Sequence, residues 1–410
     1  MTQSFSRRGF LTRSALIGCS LAASPLLTPV TFAAAPWDTR LVVIVLRGGM
    51  DGIGVVQPYG DPDYAGLRKH LNGGPAHGGL DLDGFFALHP AMKRLLPIWR
   101  RGELGFVHAV STPYRDKRSH FDGQDLLEAG TETLTGARAG WLNRMLQEIP
   151  GTNARTAFAL GNGDMKILNG AAPVSNWSPD ANLVMSAQAE RLAHLVMEDD
   201  PLFQVALEEA LSLSRSDDPE LQLTDNLLED GDADMQMSIP ARARGEAHVN
   251  IAEFAASQLK QDARVASFSI NGWDTHNRQK PVLAKALGQL TETILTLEKG
   301  LGPKVWSKTA IVAMTEFGRT VRENGTAGTD HGTGGAMVLA GGAVRGGRVH
   351  GRWPGLSEAD LYARRDLMPT ADLRAQTAWI LAGLTGLDRH VLETVVFPGM
   401  QMESDPALLR

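Results

Sequence analysis

Five short apolar runs constrain this chain more than any other feature: residues 41–46, 104–110, 263–270, 309–314 and 336–339, with a sixth, weaker one at 156–160. They are largely continuous rather than alternating. A strand of that composition is buried on both faces, as the strands of a parallel sheet are. Between the runs lie segments with apolar residues at helical spacing: 91–99, the stretch that opens at Ser119, 141–146, 247–259, 282–298 and 373–384. Strands alternating with helices predict an α/β sandwich with a mainly parallel central sheet and helices on both faces.

Polar residues stand just past the ends of these runs. Asp51 follows LVVIVLRGGM; Arg118, Ser119 and His120 follow FVHAVSTPYRDK; Asp274 and His276 follow ASFSINGW. Glu316 and Arg319 follow TAIVAMT, and Asp330-His331 precedes GTGGAMVLAG. In open α/β sheets the strand ends share one rim, where ligands bind. Carboxylates, imidazoles and a hydroxyl on one rim suit a divalent metal and a hydrolytic reaction. Each residue also has a plainer reading. Asp51 reads as a metal ligand or as a turn carboxylate, and Asp274-Thr275-His276 as a convergent ligand pair or as a surface turn. Glu316 and Arg319 read as ligand and anion clamp or as an ion pair. Ser119 reads as a nucleophile at a helix N-terminus or as the helix cap alone.

Composition excludes some classes. A formal charge of −6 without a basic patch argues against nucleic-acid partners. The single cysteine is Cys19, so beyond the first few dozen residues neither disulfides nor thiolate ligands are available. A metal would use oxygen and nitrogen donors. No segment beyond the N-terminal stretch has the roughly 18 uninterrupted apolar residues of a membrane helix. Residues 150–250 change character, with helical spacing at 187–197 and 203–213 and an acidic stretch at 225–234, and read as a helical insertion or cap.

The N-terminus carries Ser6-Arg7-Arg8-Gly9-Phe10-Leu11, an apolar stretch and then Ala33-Ala34-Ala35. This order reads as a twin-arginine signal over residues 1–35 and predicts export in the folded state to the periplasm, with the twin-arginine translocase as a transient partner. Leu16-Ile17-Gly18-Cys19 also resembles a lipoprotein box, which would leave an acylated Cys19.

The segments LRGGMDG, RSHFDGQDLLEAG, GWLNRML, GWDTH, TEFGRT and GTDHGTGG resemble the bacterial proteins grouped as domain-of-unknown-function family 1501, and the resemblance spans essentially residues 36–410. That family is placed near alkaline phosphatases, sulfatases and cofactor-independent phosphoglycerate mutases, which implies a single alkaline-phosphatase-like domain. The resemblance implies a metal aspartate at Asp51, a nucleophile at Ser119, an Asp–His pair at Asp274 and His276, and a final histidine at His331. Glu316 and Phe317 stand where the superfamily has Asp–His, which puts a second metal in doubt; Asp330 is the candidate replacement. Ser111-Thr112-Pro113-Tyr114-Arg115 also matches the serine form of a sulfatase signature, a short pattern that arises easily by chance.

The expectation is a periplasmic hydrolase of small phosphate or sulfate esters. It would hold one or two divalent ions (zinc, manganese, calcium or magnesium) on Asp51, Asp274, His276, Glu316, Asp330 and His331. Ser119 would attack, with Arg118, His120 and Arg319 around the oxyanion. The alternative is a non-catalytic envelope binding protein that keeps the fold.

Overall fold

The computed structural model describes residues 37–115, 117–134, 139–161, 165–178 and 247–410. The signal segment with Cys19, the helical stretches expected at 187–197 and 203–213, and the acidic stretch lie outside them.

Among the described residues, nine strands form the central sheet: β1 (Arg40–Arg47), β2 (Leu104–Ser111), β3 (Ala157–Leu160), β4 (Ser175–Trp177), β5 (Val265–Asn271), β6 (Thr309–Met314), β7 (Gly335–Ala340), β8 (Val349–His350) and β9 (Ala371–Asp372). Their order is β8-β2-β7-β6-β1-β5-β3-β4, and β9 also pairs with β2. β1 is central and runs parallel to β5 and β6. Among these nine, β7 alone runs against its neighbours, β2 and β6. β3 and β4 lie within the span expected to be an insertion, yet both belong to the sheet, with β3 parallel to β5 and to β4.

The absence of alternation in β1 has the expected cause. Val42, Ile44 and Leu46 enter one apolar core, Leu41, Val43 and Val45 the other, and all six are at most 3% exposed. Burial of each such side chain contributes about 1.5–3 kcal/mol. Helices α3 (Ala247–Leu259) and α4 (Gln279–Trp306) fill the first layer. Helices α1 (His120–Ala129), α2 (Trp141–Gln147) and α5 (Leu373–Thr385) fill the second. The helical spacing at 91–99 becomes a 3-10 turn, Pro90–Leu95, followed by one short α-helix, Leu96–Arg100. Pro90 and Pro97 each sit in a first turn, where a missing amide hydrogen costs nothing.

Among the described residues no helix is long and apolar enough to cross a membrane.

Candidate metal centre

The loops after β1, β5 and β6 leave the sheet at one rim and carry Asp51, Asp274 with His276, and Glu316. Because β7 runs backwards, the loop that enters it, with Asp330 and His331, lies at that same rim. An isolated antiparallel bridge between Arg319 and His331 ties the two ends of the β6–β7 connection to each other. Two glycines permit the close approach. A Cβ on Gly318 would lie 1.9 Å from the Gly334 carbonyl oxygen. Gly48, at φ +124°, would place one 2.5 Å from the Asp274 amide nitrogen.

The second layer supplies the remaining side chains. Ser119 has extended backbone, and its Oγ accepts the Asp122 amide at 3.3 Å, so it is the N-cap of α1. Gly130, left-handed at φ 66°, ends the helix. His120 is therefore the first residue of α1 and faces the rim loops.

His120, Asp274 and His331 each offer one ligand atom, all within 4.8 Å of one another. Asp274 Oδ2 is 3.4 Å from His120 Nε2, and its Oδ1 is 3.4 Å from His331 Nε2. His276 adjoins them, with Nε2 3.1 Å from Asp274 Oδ1 and 2.8 Å from His331 Nε2.

The far side of each ring fixes its tautomer. His120 Nδ1 donates to Glu316 Oε1 at 2.8 Å, His276 Nδ1 to Asp330 Oδ1 at 3.0 Å, and His331 Nδ1 to the Arg118 carbonyl at 2.8 Å. Carboxylate and carbonyl oxygens only accept, so each neutral ring carries its proton on Nδ1 and its lone pair on Nε2. Three lone pairs thus converge beside one carboxylate. Two of them face each other at 2.8 Å, a repulsive contact unless a proton or a cation lies between. The His120 Nε2 atom is buried and has no hydrogen-bond partner. Imidazoles whose outer N–H is held by carboxylate or carbonyl, with the inner nitrogen free, are the usual arrangement of metal-ligating histidines. This donor set fits a transition metal such as zinc. Calcium and magnesium prefer all-oxygen sites.

Charges are arranged accordingly. Burial raises the Asp274 carboxyl, but Arg319, whose Nη2 donates to its Oδ1 at 2.9 Å, together with His276 and His120, outweighs that and holds it below the ordinary range. The hydrogen bond to Glu316 pushes His120 up, against its burial. Burial, with the neighbouring cations, pushes His331 down. His120, unlike His331, therefore holds its proton above the ordinary value near 6.5. Because a metal needs its lone pair, metal affinity is expected to be full only above the raised His120 value and to fall as pH drops through it. Titration calorimetry with zinc on both sides of that value checks this; a flat profile would remove His120 from the ligand set.

Several expected residues have other places. Glu316 and Asp330 stand behind His120 and His276 as hydrogen-bond acceptors. The Glu316 oxygens also accept from the Gly48 amide, Gln124 and Thr315. His120, expected near the oxyanion, is instead one of the converging nitrogens. Arg319 is 1% exposed, and its Nε and Nη1 are sealed from solvent without partners, so it braces Asp274 rather than facing a substrate. The exposed Arg118 joins the centre through its carbonyl. Phe317 offers no donor and packs its ring 5.1 Å from that of His120 and 5.0 Å from that of His331, an apolar floor. Ser111 is a buried residue within β2.

Asp51 does not join the cluster. It is 1% exposed, and both its oxygens face Arg68: Nη1 to Oδ2 at 2.6 Å and Nη2 to Oδ1 at 3.0 Å. Gln279 Nε2 donates to the same Oδ2. A guanidinium fills the position in which an ion was expected. Arg68 and Gln279 carry no sequence signal for this role: one lies in an irregular stretch, and the other reads as an ordinary helix start.

The rim thus defines a class: an α/β protein whose mainly parallel sheet brings three imidazoles and a carboxylate together where they could hold a metal ion. The chain belongs to the family described as protein of unknown function (DUF1501), which matches residues 108–396. Every converging donor falls within that span, whereas Asp51 and Arg68 precede it. Comparison with curated proteins gives no match. Among solved structures, PsFucS1 sulfatase from Pseudoalteromonas sp. is similar at a TM-score of 0.39 and 12% identity, over 91% of this chain and 73% of that one. LtaP, a lipoteichoic acid synthase from Listeria monocytogenes, is similar at 0.37 and 10%, over 90% and 77%. The alkaline phosphatase of the Antarctic bacterium TAB5 is similar at 0.33 and 12%, over 75% and 92%. Likeness of this degree assigns no residue a role.

Proposed function

We propose that this protein is a metal-dependent hydrolase that binds one transition-metal ion, such as zinc, through the Nε2 atoms of His120, His276 and His331 and the Asp274 carboxylate, and cleaves a small phosphate or sulfate ester. The convergence of three imidazole lone pairs, each oriented by an acceptor behind its ring, carries this reading. When bound, the ion supplies Lewis acidity to the ester's oxygen. Glu316, Asp330 and the Arg118 carbonyl hold the rings in their ligating tautomers, and Phe317 limits water beneath them. Ser119, where the first amides of α1 favour an anion, attacks phosphorus or sulfur, and its hydroxyl proton leaves on the departing alcohol; water then splits the Ser119 ester, restoring the hydroxyl and releasing the acid. The net reaction consumes one water per ester.

Elemental analysis of the purified protein is expected to give about one equivalent of metal, lost in His331→Ala. The wild type is expected to hydrolyse members of a phosphate- and sulfate-ester panel, and Ser119→Ala to keep the metal and lose turnover. A folded wild type that takes up no zinc, manganese or iron ends this proposal. Metal uptake without turnover of any ester favours the second reading, a ligand-binding protein of the envelope. The ion pair that closes Asp51 is the observation on that side.

The Arg7-Arg8 pair further supports export through the twin-arginine translocase to the periplasm. Replacing both with lysine is expected to leave the protein in the cytoplasmic fraction, and unchanged export would assign it another route.

A further inference from the structure

The buried ion pair at Asp51 reaches further than its two partners. Arg68 Nε donates to the Val321 carbonyl at 2.5 Å and Nη2 to the Thr320 carbonyl at 2.9 Å. On the other side of Asp51, Gln279 Nε2 donates to the carboxylate, while Gln279 Oε1 accepts from two hydroxyls, Thr275 at 2.9 Å and Thr329 at 2.6 Å. All of these side chains are buried: Arg68, Thr275 and Thr329 have no exposed surface, and Gln279 has 1%.

The sequence positions are what give this network meaning. Thr275 lies between Asp274 and His276. Thr329 immediately precedes Asp330 and His331. Thr320 follows Arg319, which braces Asp274, and the Thr320 hydroxyl accepts the Asp330 amide at 3.1 Å. The Thr329 amide in turn donates to the Thr275 carbonyl at 3.1 Å. Every loop that carries a converging donor, apart from the start of α1, therefore has one residue pinned to the same carboxylate–guanidinium–amide unit. A side-chain amide that bridges two hydroxyls to a carboxylate, with no solvent to compete, fixes those loops relative to one another.

We propose that Arg68, Asp51 and Gln279 form a buried positioning unit that sets the spacing between the 274–276 and 329–331 loops, so that Asp51 serves the centre through Gln279 and the two threonines and not as a ligand. This rests on the metal-centre reading above for its consequence, but the coupling of the loops is a property of the metal-free protein. Outer contacts of this kind typically change metal affinity by about 10–100-fold.

The test uses substitutions that touch no donor atom. In the metal-free full chain, Gln279→Met and Thr329→Val keep volume and remove the hydrogen bonds, whereas Thr329→Ser keeps the hydroxyl. Hydrogen exchange followed by mass spectrometry is expected to rise about tenfold or more at the Thr329 amide and through the 274–276 loop in the first two variants. Exchange in α3 and the core of β1 should stay unchanged, and Thr329→Ser should behave as the wild type. Zinc affinity is expected to fall about 10–100-fold in Gln279→Met and Thr329→Val, with little change in Thr329→Ser. Wild-type exchange in both loops of Gln279→Met and Thr329→Val would overturn the positioning unit, whether or not zinc binds. Wild-type zinc affinity in those two variants, alongside complete loss of zinc in Asp51→Asn, would make Asp51 a ligand and overturn it equally. Altered exchange in a protein whose wild type binds no zinc would leave the unit standing and remove the metal reading instead.

Discussion

Replacing Arg68 with alanine is expected to destabilise the protein by about 3–5 kcal/mol, because it leaves the Asp51 carboxylate buried and uncompensated. No solvent reaches either partner, and the two backbone carbonyls that accept from the guanidinium lose their donors at the same time. Burial alone would raise the Asp51 carboxyl; Arg68, with help from Gln279, reverses that and holds it below the ordinary 3.8. A depressed carboxyl stabilises the fold above its unfolded value and loses that contribution as pH falls through the depressed one. The pair is therefore expected to contribute fully above about pH 4 and to fail only in stronger acid. Chemical denaturation near neutral pH checks the first expectation. Replacing both partners with apolar residues, Asp51→Leu with Arg68→Met, is expected to cost less than Arg68→Ala alone. A double variant as unstable as the sum of the single ones would mean that the pair is not a self-contained unit.

The second large effect is expected at His120. Its alanine variant removes both ring nitrogens, the inner one and the Nδ1 that donates to Glu316; the Gly48 amide, Gln124 and Thr315 still donate to that carboxylate, so the variant should fold and still fail to hold metal. If the ion supplies several kcal/mol at the transition state, ester turnover falls by at least about a thousandfold. Glu316→Gln is the informative companion. It keeps every ligand but replaces the anion behind His120. Metal affinity should fall by about 10–100-fold, and the pH at which binding is lost should move down, since the hydrogen bond to Glu316 is the main influence raising His120. Full metal content and full turnover in His120→Ala would show that His276, His331 and Asp274 suffice.

The strands were legible because a parallel sheet imposes a strong signal: with both faces covered, the run 309–314 contains no charged residue and becomes β6 at those same limits. Helix ends were legible where a cap declares them, as at Ser119. The donors were legible as a set because strand ends share a rim. Their division into ligands and supports was not. Glu316 and His276 have the same local signature, a polar side chain just past an apolar run. Only the fold reveals that Glu316 lies behind a ring while His276 Nε2 faces one. Asp51 shows the same limit more sharply. Its glycine-flanked position reads as open to an ion, but Arg68, seventeen residues on, reaches back to it through tertiary packing that no local pattern records.

β7, among the described strands the one that runs against its neighbours, makes the centre depend on the completed sheet. The donors enter the chain at His120, Asp274, His276 and His331, and the last is placed only once β7 has inserted between β2 and β6. Without β7 in place the set is incomplete, and separate histidines bind an ion far more weakly than four assembled donors. Bound metal would then act as a certificate of assembly: in a freshly purified sample, substoichiometric metal would count molecules with an unfinished sheet as well as those that had not yet met an ion.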